Sequence, residues 1–425
     1  MPRTTFLLAL AALCAPAFSS LRAQDQTPHR TPRAGEGFRT TLFGEPFDVQ
    51  ERDRTRVNAW DVGLIGTPGL SDGEFLPYGW LYFWRRPADD SQYLRALVGG
   101  IQNDVVYAFH PDGAKPFEVI GSLNTSTPIW DSGEFVDGRR IDGEELSWGW
   151  VRAGIGVGHR QRVDPGHADN LFSSDVLLEP GFLYFGRGED TSASFIVPDD
   201  TFEMRLRWTT RYDALERNLV ERAHRGVAFG ADVILGSRTD ASGWGDATGS
   251  GFFAKRDVRD HVTLTGYGVW ATDVPFVDSE RHRLVLTFHG GASDGADRFS
   301  APRVGGFPDT RGEESGTVAR PVLPGAALDE FFPERYAIVS GANRYELAFF
   351  AYLETGATLA WLDRDEFRGA SIVRDDDRLS SVHALLTSGF LGQTRLQLGW
   401  AYGFDLVRDG DDGAHAFTVR MSSDF

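Results

Sequence analysis

The run Arg303-Val304-Gly305-Gly306-Phe307-Pro308-Asp309-Thr310-Arg311-Gly312 gathers more chemistry-bearing positions than any other stretch of this 425-residue chain. The paired glycines, Gly305 and Gly306, permit a tight turn or a close backbone approach. Arg311-Gly312 then presents one guanidinium from a loop. A guanidinium grips a carboxylate with two parallel hydrogen bonds, so the chemistry on offer is anchoring rather than bond making. Glu354 is the first candidate partner for Arg311, with Glu334 and Glu346 behind it, and a solvated loop tip is the plain alternative. Bond-making sets are thin. There is no His-Glu-x-x-His and no phosphate-cradling loop, and His159, His167, Ser173, Ser174 and His289 show no spacing that marks a hydrolase. The acidic runs Asp375–Asp377 and Asp409–Asp412 lack EF-hand spacing and read as solvated turns. No metal and no cofactor is expected.

Those positions need elements to hold them, and the dominant period along the chain is two. In Thr201–Arg211, Phe202, Met204, Leu206 and Trp208 share one face, while Glu203, Arg205, Arg207, Thr209 and Arg211 share the other. In Arg395–Phe404, Leu396, Leu398, Trp400, Tyr402 and Phe404 oppose Arg395, Gln397, Gly399, Ala401 and Gly403. Leu284, Leu286 and Phe288 alternate in the same way. Counting back from Phe425 in twos gives Ser423, Met421, Val419, Phe417 and His415, a largely apolar face closed by a terminal aromatic. Further strands are expected near Val57–Gly66, Gly79–Arg86, Phe117–Thr125, Leu146–His159, Val227–Leu235 and Tyr345–Leu362, among others. Asp213–His224 has the best helical pattern, but strands flank it and it reads as a hairpin connection. Along Tyr345–Leu353 one face is uninterruptedly apolar, so Glu354 on the other face must point away from lipid. A charge on the lipid side costs on the order of 2 kcal/mol or more near the midplane.

The ends and the composition set the compartment. Residues 1–23 read as a secretory signal, with Arg3 ahead of an apolar run too short to span a bilayer as a helix. Residues 24–55 read as a short, loosely held periplasmic or plug-like stub. Cys14 is the only cysteine and lies in the signal, which excludes disulfides from the mature chain. No later segment has 18 consecutive apolar residues. A formal charge of −18 argues against nucleic acid as a partner. An exported chain without helical anchors can still cross a membrane as a closed barrel. Such a barrel shows alternating strands with aromatics toward their ends.

Four stretches resemble the barrel of the BamA/TamA-type bacterial surface antigen family. They are the Gly305-Gly306…Arg311-Gly312 loop; Phe350-Ala351-Tyr352-Leu353-Glu354-Thr355-Gly356; Tyr212-Asp213 with Asn218 and then Arg225-Gly226; and the last 46 residues, with Gly389-Phe390-Leu391-Gly392 between two strands. The resemblance covers residues 200–425 well and 56–200 only as generic strands. It implies that the loop spanning about Asp294–Glu330 folds inward and that Arg311 meets a lumen carboxylate. The chain departs from the family where Glu313 replaces an aromatic after Arg-Gly, and only a short stub precedes the first strand, leaving no room for the family's periplasmic domains.

The expected fold is therefore all-β, a transmembrane antiparallel barrel of about 16 strands (range 14–16) in a bacterial outer membrane. Residues 56–425 form the barrel, the long loop folds inward, and Phe417, Val419, Met421 and Phe425 face lipid on the closing strand. The expected function is non-enzymatic, accessory to outer-membrane protein assembly or translocation. A passive porin-like channel is the alternative, and an outer-membrane hydrolase a remote one. The expected partners are outer-membrane lipid and lipopolysaccharide, with the barrel-assembly machinery for the chain's own insertion. The protein substrate is left open.

Overall fold

The computed structural model describes residues 29–42, 44–70, 75–87, 89–111, 116–127, 133, 135–136, 138–141, 143–240, 242–246, 258–306, 320–368, 371–391, 394–408 and 410–425. Sixteen strands close into one barrel. They are β1 (Arg56–Gly66), β2 (Phe75–Arg85), β3 (Gln92–Val98), β4 (Gln102–Phe109), β5 (Phe117–Ser126), β6 (Leu146–Arg162), β7 (Leu171–Arg187), β8 (Thr201–Arg217), β9 (Ala223–Arg238), β10 (Asp260–Asp273), β11 (His282–Asp294), β12 (Arg335–Ala348), β13 (Ala351–Arg368), β14 (Ser371–Leu391), β15 (Thr394–Arg408) and β16 (Asp411–Asp424). Each strand pairs antiparallel with its neighbours in sequence. β16 returns to β1 through Phe417↔Gly66 to Asp424↔Ala59. Closure leaves no barrel edge, which is the condition for a sheet to sit in hydrocarbon.

The alternation read from the sequence is the alternation of the wall. Phe202, Met204, Leu206 and Trp208 face out on β8 and Phe417, Val419 and Met421 face out on β16, while Glu203 and Arg420 are buried inside. No connection at the end where the chain ends is longer than eight residues. Those connections include 218–222 between β8 and β9, 349–350 between β12 and β13, and 392–393 between β14 and β15. The long connections, 239–259 and 295–334, lie at the opposite end. In an outer-membrane barrel the short turns are periplasmic and the long loops extracellular, which fixes the direction of view used below.

Two expectations are refined by the strand boundaries. The run Tyr345–Leu362 is two strands, because the chain reverses at Phe349-Phe350. Cross-strand partners share a face, so Arg344 opposite Glu354 and Glu346 opposite Tyr352 all still face inward. In the run Asp213–His224, β8 continues to Arg217 and only Asn218–Arg222 turn. Tertiary pairing overrides helical propensity there.

Residues 29–55 differ from a loosely held stub. A small hairpin, Phe38–Leu42 against Glu45–Val49, sets Phe38 and Phe47 5.5 and 6.2 Å from the Phe349 ring at the periplasmic turn. The flanking residues cross the periplasmic mouth.

Candidate functional site: a lumen occupied at both ends

The extracellular closure begins with the long connection after β11. Val304 and Phe331 exchange backbone hydrogen bonds at 2.9 Å, Gly306 N–H donates to the Ala327 carbonyl at 2.9 Å, and Leu323 N–H donates to the Gly305 carbonyl at 3.0 Å. The two limbs of the loop therefore lie backbone against backbone at Gly305 and Gly306. A Cβ on either glycine would collide with a carbonyl oxygen, that of Ala327 or of Ala326, so the pair is there for close approach. Val304, Leu323, Ala326 and Phe331 pack on Ile338, Leu362, Leu379 and Leu406 of the inner wall. This is an apolar core inside a barrel, where a water-filled channel would carry polar groups.

Ion pairs pin the same loop. Arg408 on β15 holds Glu330 with both terminal guanidinium nitrogens at 2.8 Å, and Glu330 accepts a further bond from Ala327 N–H at 2.7 Å. Arg303 and Arg320, one from each limb, share Asp329 at 3.1 and 2.5 Å. Burial raises the Asp329 pKa, but the two guanidinium groups outweigh it and the carboxyl lies below its usual range. Arg238 on β9 binds Asp297, and Arg298 binds the buried Glu144.

The periplasmic closure has a different chemistry. Arg33 reaches Glu216 at 3.0 Å. Arg52 bonds Glu221 and Asp424, and Arg54 bonds Asp169 at 2.9 Å and Glu221 at 2.7 Å. Thr31 Oγ1 donates to Glu346 at 2.5 Å, and His29 lies 2.9 Å from the same carboxylate. The backbone joins in, Ala34 N–H to the Arg217 carbonyl and Leu219 N–H to the Pro32 carbonyl. Three arginines of the N-terminal segment thus meet carboxylates of the periplasmic turns and strand ends. Asp169, in the β6–β7 turn, is raised by burial but lowered more by Arg217 and Arg54, leaving it well below the ordinary carboxylate value.

The carboxylates singled out from the sequence lie apart. Glu354 faces the lumen on β13. Its described partners are Arg344 at 2.5 Å, Arg222 at 3.4 Å and His383 at 3.7 Å. Glu346 holds the N-terminal segment. Glu334 sits at the extracellular rim, 2.8 Å from Arg374. Arg311 and Gly312 lie outside the described residues. Phe417, Val419, Met421 and Phe425 are exposed on the outer face.

Sequence reading missed several of the gripping groups. Arg408 and Glu330 carry no motif. Asp61 and Arg420 each stand on the inward parity of a terminal strand, and that parity was the available signal. It also passed over Gly291-Ala292-Ser293-Asp294-Gly295, which has the spacing of a nucleophile elbow. That run ends β11 without entering a helix, and the Ser293 hydroxyl donates to the Glu334 carbonyl at 3.3 Å rather than to a histidine.

No family model matches the chain, and no curated protein is similar to it. Solved structures similar to it include CdiB from Acinetobacter baumannii, at 9% identity and TM-score 0.48 over 92% of this chain and 66% of that one. CdiB from Escherichia coli has 12% identity and TM-score 0.48 over 91% and 67%. BamA from Haemophilus ducreyi lacking POTRA domains 1-3 has 11% identity and TM-score 0.47 over 91% and 75%. The chain spans about two thirds of the length of the CdiB chains. On its own geometry, with a closed wall, an apolar outer face and short turns at the terminal end, the chain is a sixteen-stranded outer-membrane β-barrel.

Proposed function

We propose that this barrel is a normally closed accessory of outer-membrane protein assembly or translocation. The observation that carries the reading is that packed segments occupy the lumen at both ends among the described residues. A passive porin needs a continuous water path. Here an apolar loop core clamped by Arg408–Glu330 packs against the inner wall near one end, and the Arg33, Arg52 and Arg54 ion pairs strap a segment across the other. The link to protein assembly rests on the surface antigen resemblance of the Gly305–Gly312 loop and the Glu354 strand. In this reading the chain sits among outer-membrane lipid and lipopolysaccharide, placed there by the barrel-assembly machinery, and acts on a polypeptide rather than a solute. Its test has two arms. In planar bilayers the full chain should conduct little and in brief, irregular events; large steady steps would favour a porin-like channel instead. Co-purification from native membranes after rapid crosslinking should recover other barrel proteins or their assembly factors. Recovery of neither would remove the assembly role while leaving the closed barrel intact.

A further inference from the structure

Two arginines face one another on the lipid side of the wall at the periplasmic rim. Arg56 opens β1, Arg85 closes β2, and the two are direct cross-strand partners. Cross-strand partners share a face. Counting along that face in twos from Arg56 gives Asn58, Trp60, Val62 and Leu64, and from Arg85 it gives Phe83 and Leu81. Val62, Leu64 and Leu81 are exposed on the outer wall, while Asp61, Tyr82 and Trp84, on the other parity, are buried inside. Both guanidinium groups therefore stand on the outer side, and both residues are exposed.

Like charges placed directly opposite one another on a sheet repel. At another point of the same rim the wall sets opposite charges together, Arg225 on β9 against Glu216 on β8. Arg56 and Arg85 make no hydrogen bond or ion pair with any described residue. Nearby acids bond elsewhere: Asp53 accepts from Thr55, Asp89 from Ser91 N–H, and Asp90 is held by Arg86 and Arg162. The chain terminus lies at this rim too, where Phe425 N–H donates to the Asn58 carbonyl at 2.9 Å, and its carboxylate pairs with neither arginine. One cross-strand step toward the membrane, the Phe83 ring meets Phe425 edge to face, centroids 6.4 Å apart. Such aromatics mark the membrane–water interface. Two residues along a strand is about 7 Å, which puts the arginines just outside that belt, at the level of the lipid phosphates.

We propose that Arg56 and Arg85 hold the phosphate of an anionic phospholipid, such as phosphatidylglycerol, in the periplasmic leaflet. The two guanidinium groups share its oxygens through charge-assisted hydrogen bonds, and the bound anion removes their mutual repulsion. The acyl chains lie along Phe83, Leu81 and Val62. The chain as a whole carries a formal charge of −18, so its average charge does not attract anionic lipid and a preference has to come from a local site. The site is independent of any role in protein assembly.

The test is native mass spectrometry of the full chain, folded in mild detergent and given phosphatidylglycerol and phosphatidylcholine of the same chain length at equal concentration. Expected is one phosphatidylglycerol retained per barrel, preferred at least about tenfold over phosphatidylcholine. Arg56→Gln/Arg85→Gln should lose that preference, and Arg225→Gln should keep it. Arg85→Glu is the second variant. It sets opposite charges across the strands, which favours their pairing, and should lose the preference as well. Each variant is compared only as the heat-modifiable folded form. Equal retention of the two lipids by the native chain overturns the proposal, as does a preference that survives in either Arg85 variant. Displacement of the lipid by equimolar inorganic phosphate overturns the phospholipid as occupant.

Discussion

Arg420 on the last strand and Asp61 on the first hold one another across the closing seam, the guanidinium Nε lying 2.8 and 2.9 Å from the two carboxylate oxygens, with each side chain 1% exposed. Gln397 Oε1 accepts a further bond from Arg420 at 2.8 Å. The pair sits inside the wall at the one join that connects residues far apart in sequence. Removing one partner strands a buried charge, at a cost of about 3–5 kcal/mol. Asp61→Ala or Arg420→Ala should therefore lower the temperature at which the folded gel form converts to the unfolded one. The double variant Asp61→Leu/Arg420→Met should recover much of the loss, because no charge is then left unpaired. A double variant as damaged as the sum of the singles would show that the seam is held by something else.

The same strand makes the opposite demand on its outer face. Phe417→Asp puts a carboxylate into the apolar belt, where Phe417 is now exposed to lipid. Deleting Phe425 removes the terminal aromatic. Both should reduce the yield of heat-modifiable barrel in outer membranes. An unchanged yield would mean that assembly does not depend on this face.

At the loop, Glu330 links the clamp residue Arg408 to the backbone of Ala327. Glu330→Gln keeps the shape and removes the charge. It should free the 295–334 loop to protease from the extracellular side and raise the frequency of conductance events. Gly306→Ala should do the same by a different route, since its Cβ would meet the Ala326 carbonyl. Protection unchanged in both variants would place the closure in the apolar core around Leu323 and Leu362 alone.

How far the sequence could be read follows from what each feature depends on. Alternation is local and survives a two-residue reversal, so the lipid face of β8 and the inward direction of Glu354 could be read from residue parity. Partners are not local. Glu354 meets Arg344 because Phe349-Phe350 turn the chain back on itself, and Arg222 because the β8–β9 turn lies under the same wall. Neither contact has a sequence spacing to betray it. The N-terminal segment was legible only as polar, and its docking depends on carboxylates from turns more than a hundred residues away. The inner-wall core behind the loop was illegible for a further reason. Ile338 and Leu362 lie on inward parity, where a barrel is expected to be polar, so their apolar character points to the plug only once the plug is in view.

The N-terminal strap should respond to salt before it responds to acid. Asp169 has its pKa lowered in the folded chain, so its contribution is fully present above the unfolded carboxylate value of about 3.9 and is lost as pH falls through the still lower folded value. Docking should be flat from pH 8 to pH 5. The Arg52 pairs with Glu221 and Asp424 are partly exposed, and salt near 1 M screens charges beyond about 3 Å. Hydrogen exchange across residues 29–55 should quicken between 0.1 and 1 M salt, and further in Arg52→Ala/Arg54→Ala. Release between pH 8 and pH 5 at low salt would show that groups other than these carboxylates hold the strap.

Glu354 offers the sharpest test of the lumen. Removing it as Glu354→Ala leaves Arg222 and Arg344 facing one another without their shared carboxylate, and should cost about 3–5 kcal/mol. Arg344→Ala should cost less, because Arg222 still neutralises Glu354. If Arg311 also reaches this carboxylate, Arg311→Ala should loosen the loop in the native background and add little once Glu354 is gone. Loop proteolysis and conductance noise read both effects in one preparation. An Arg311→Ala effect that adds in full to that of Glu354→Ala would separate the two residues and leave Glu354 as the neutraliser of Arg222 and Arg344.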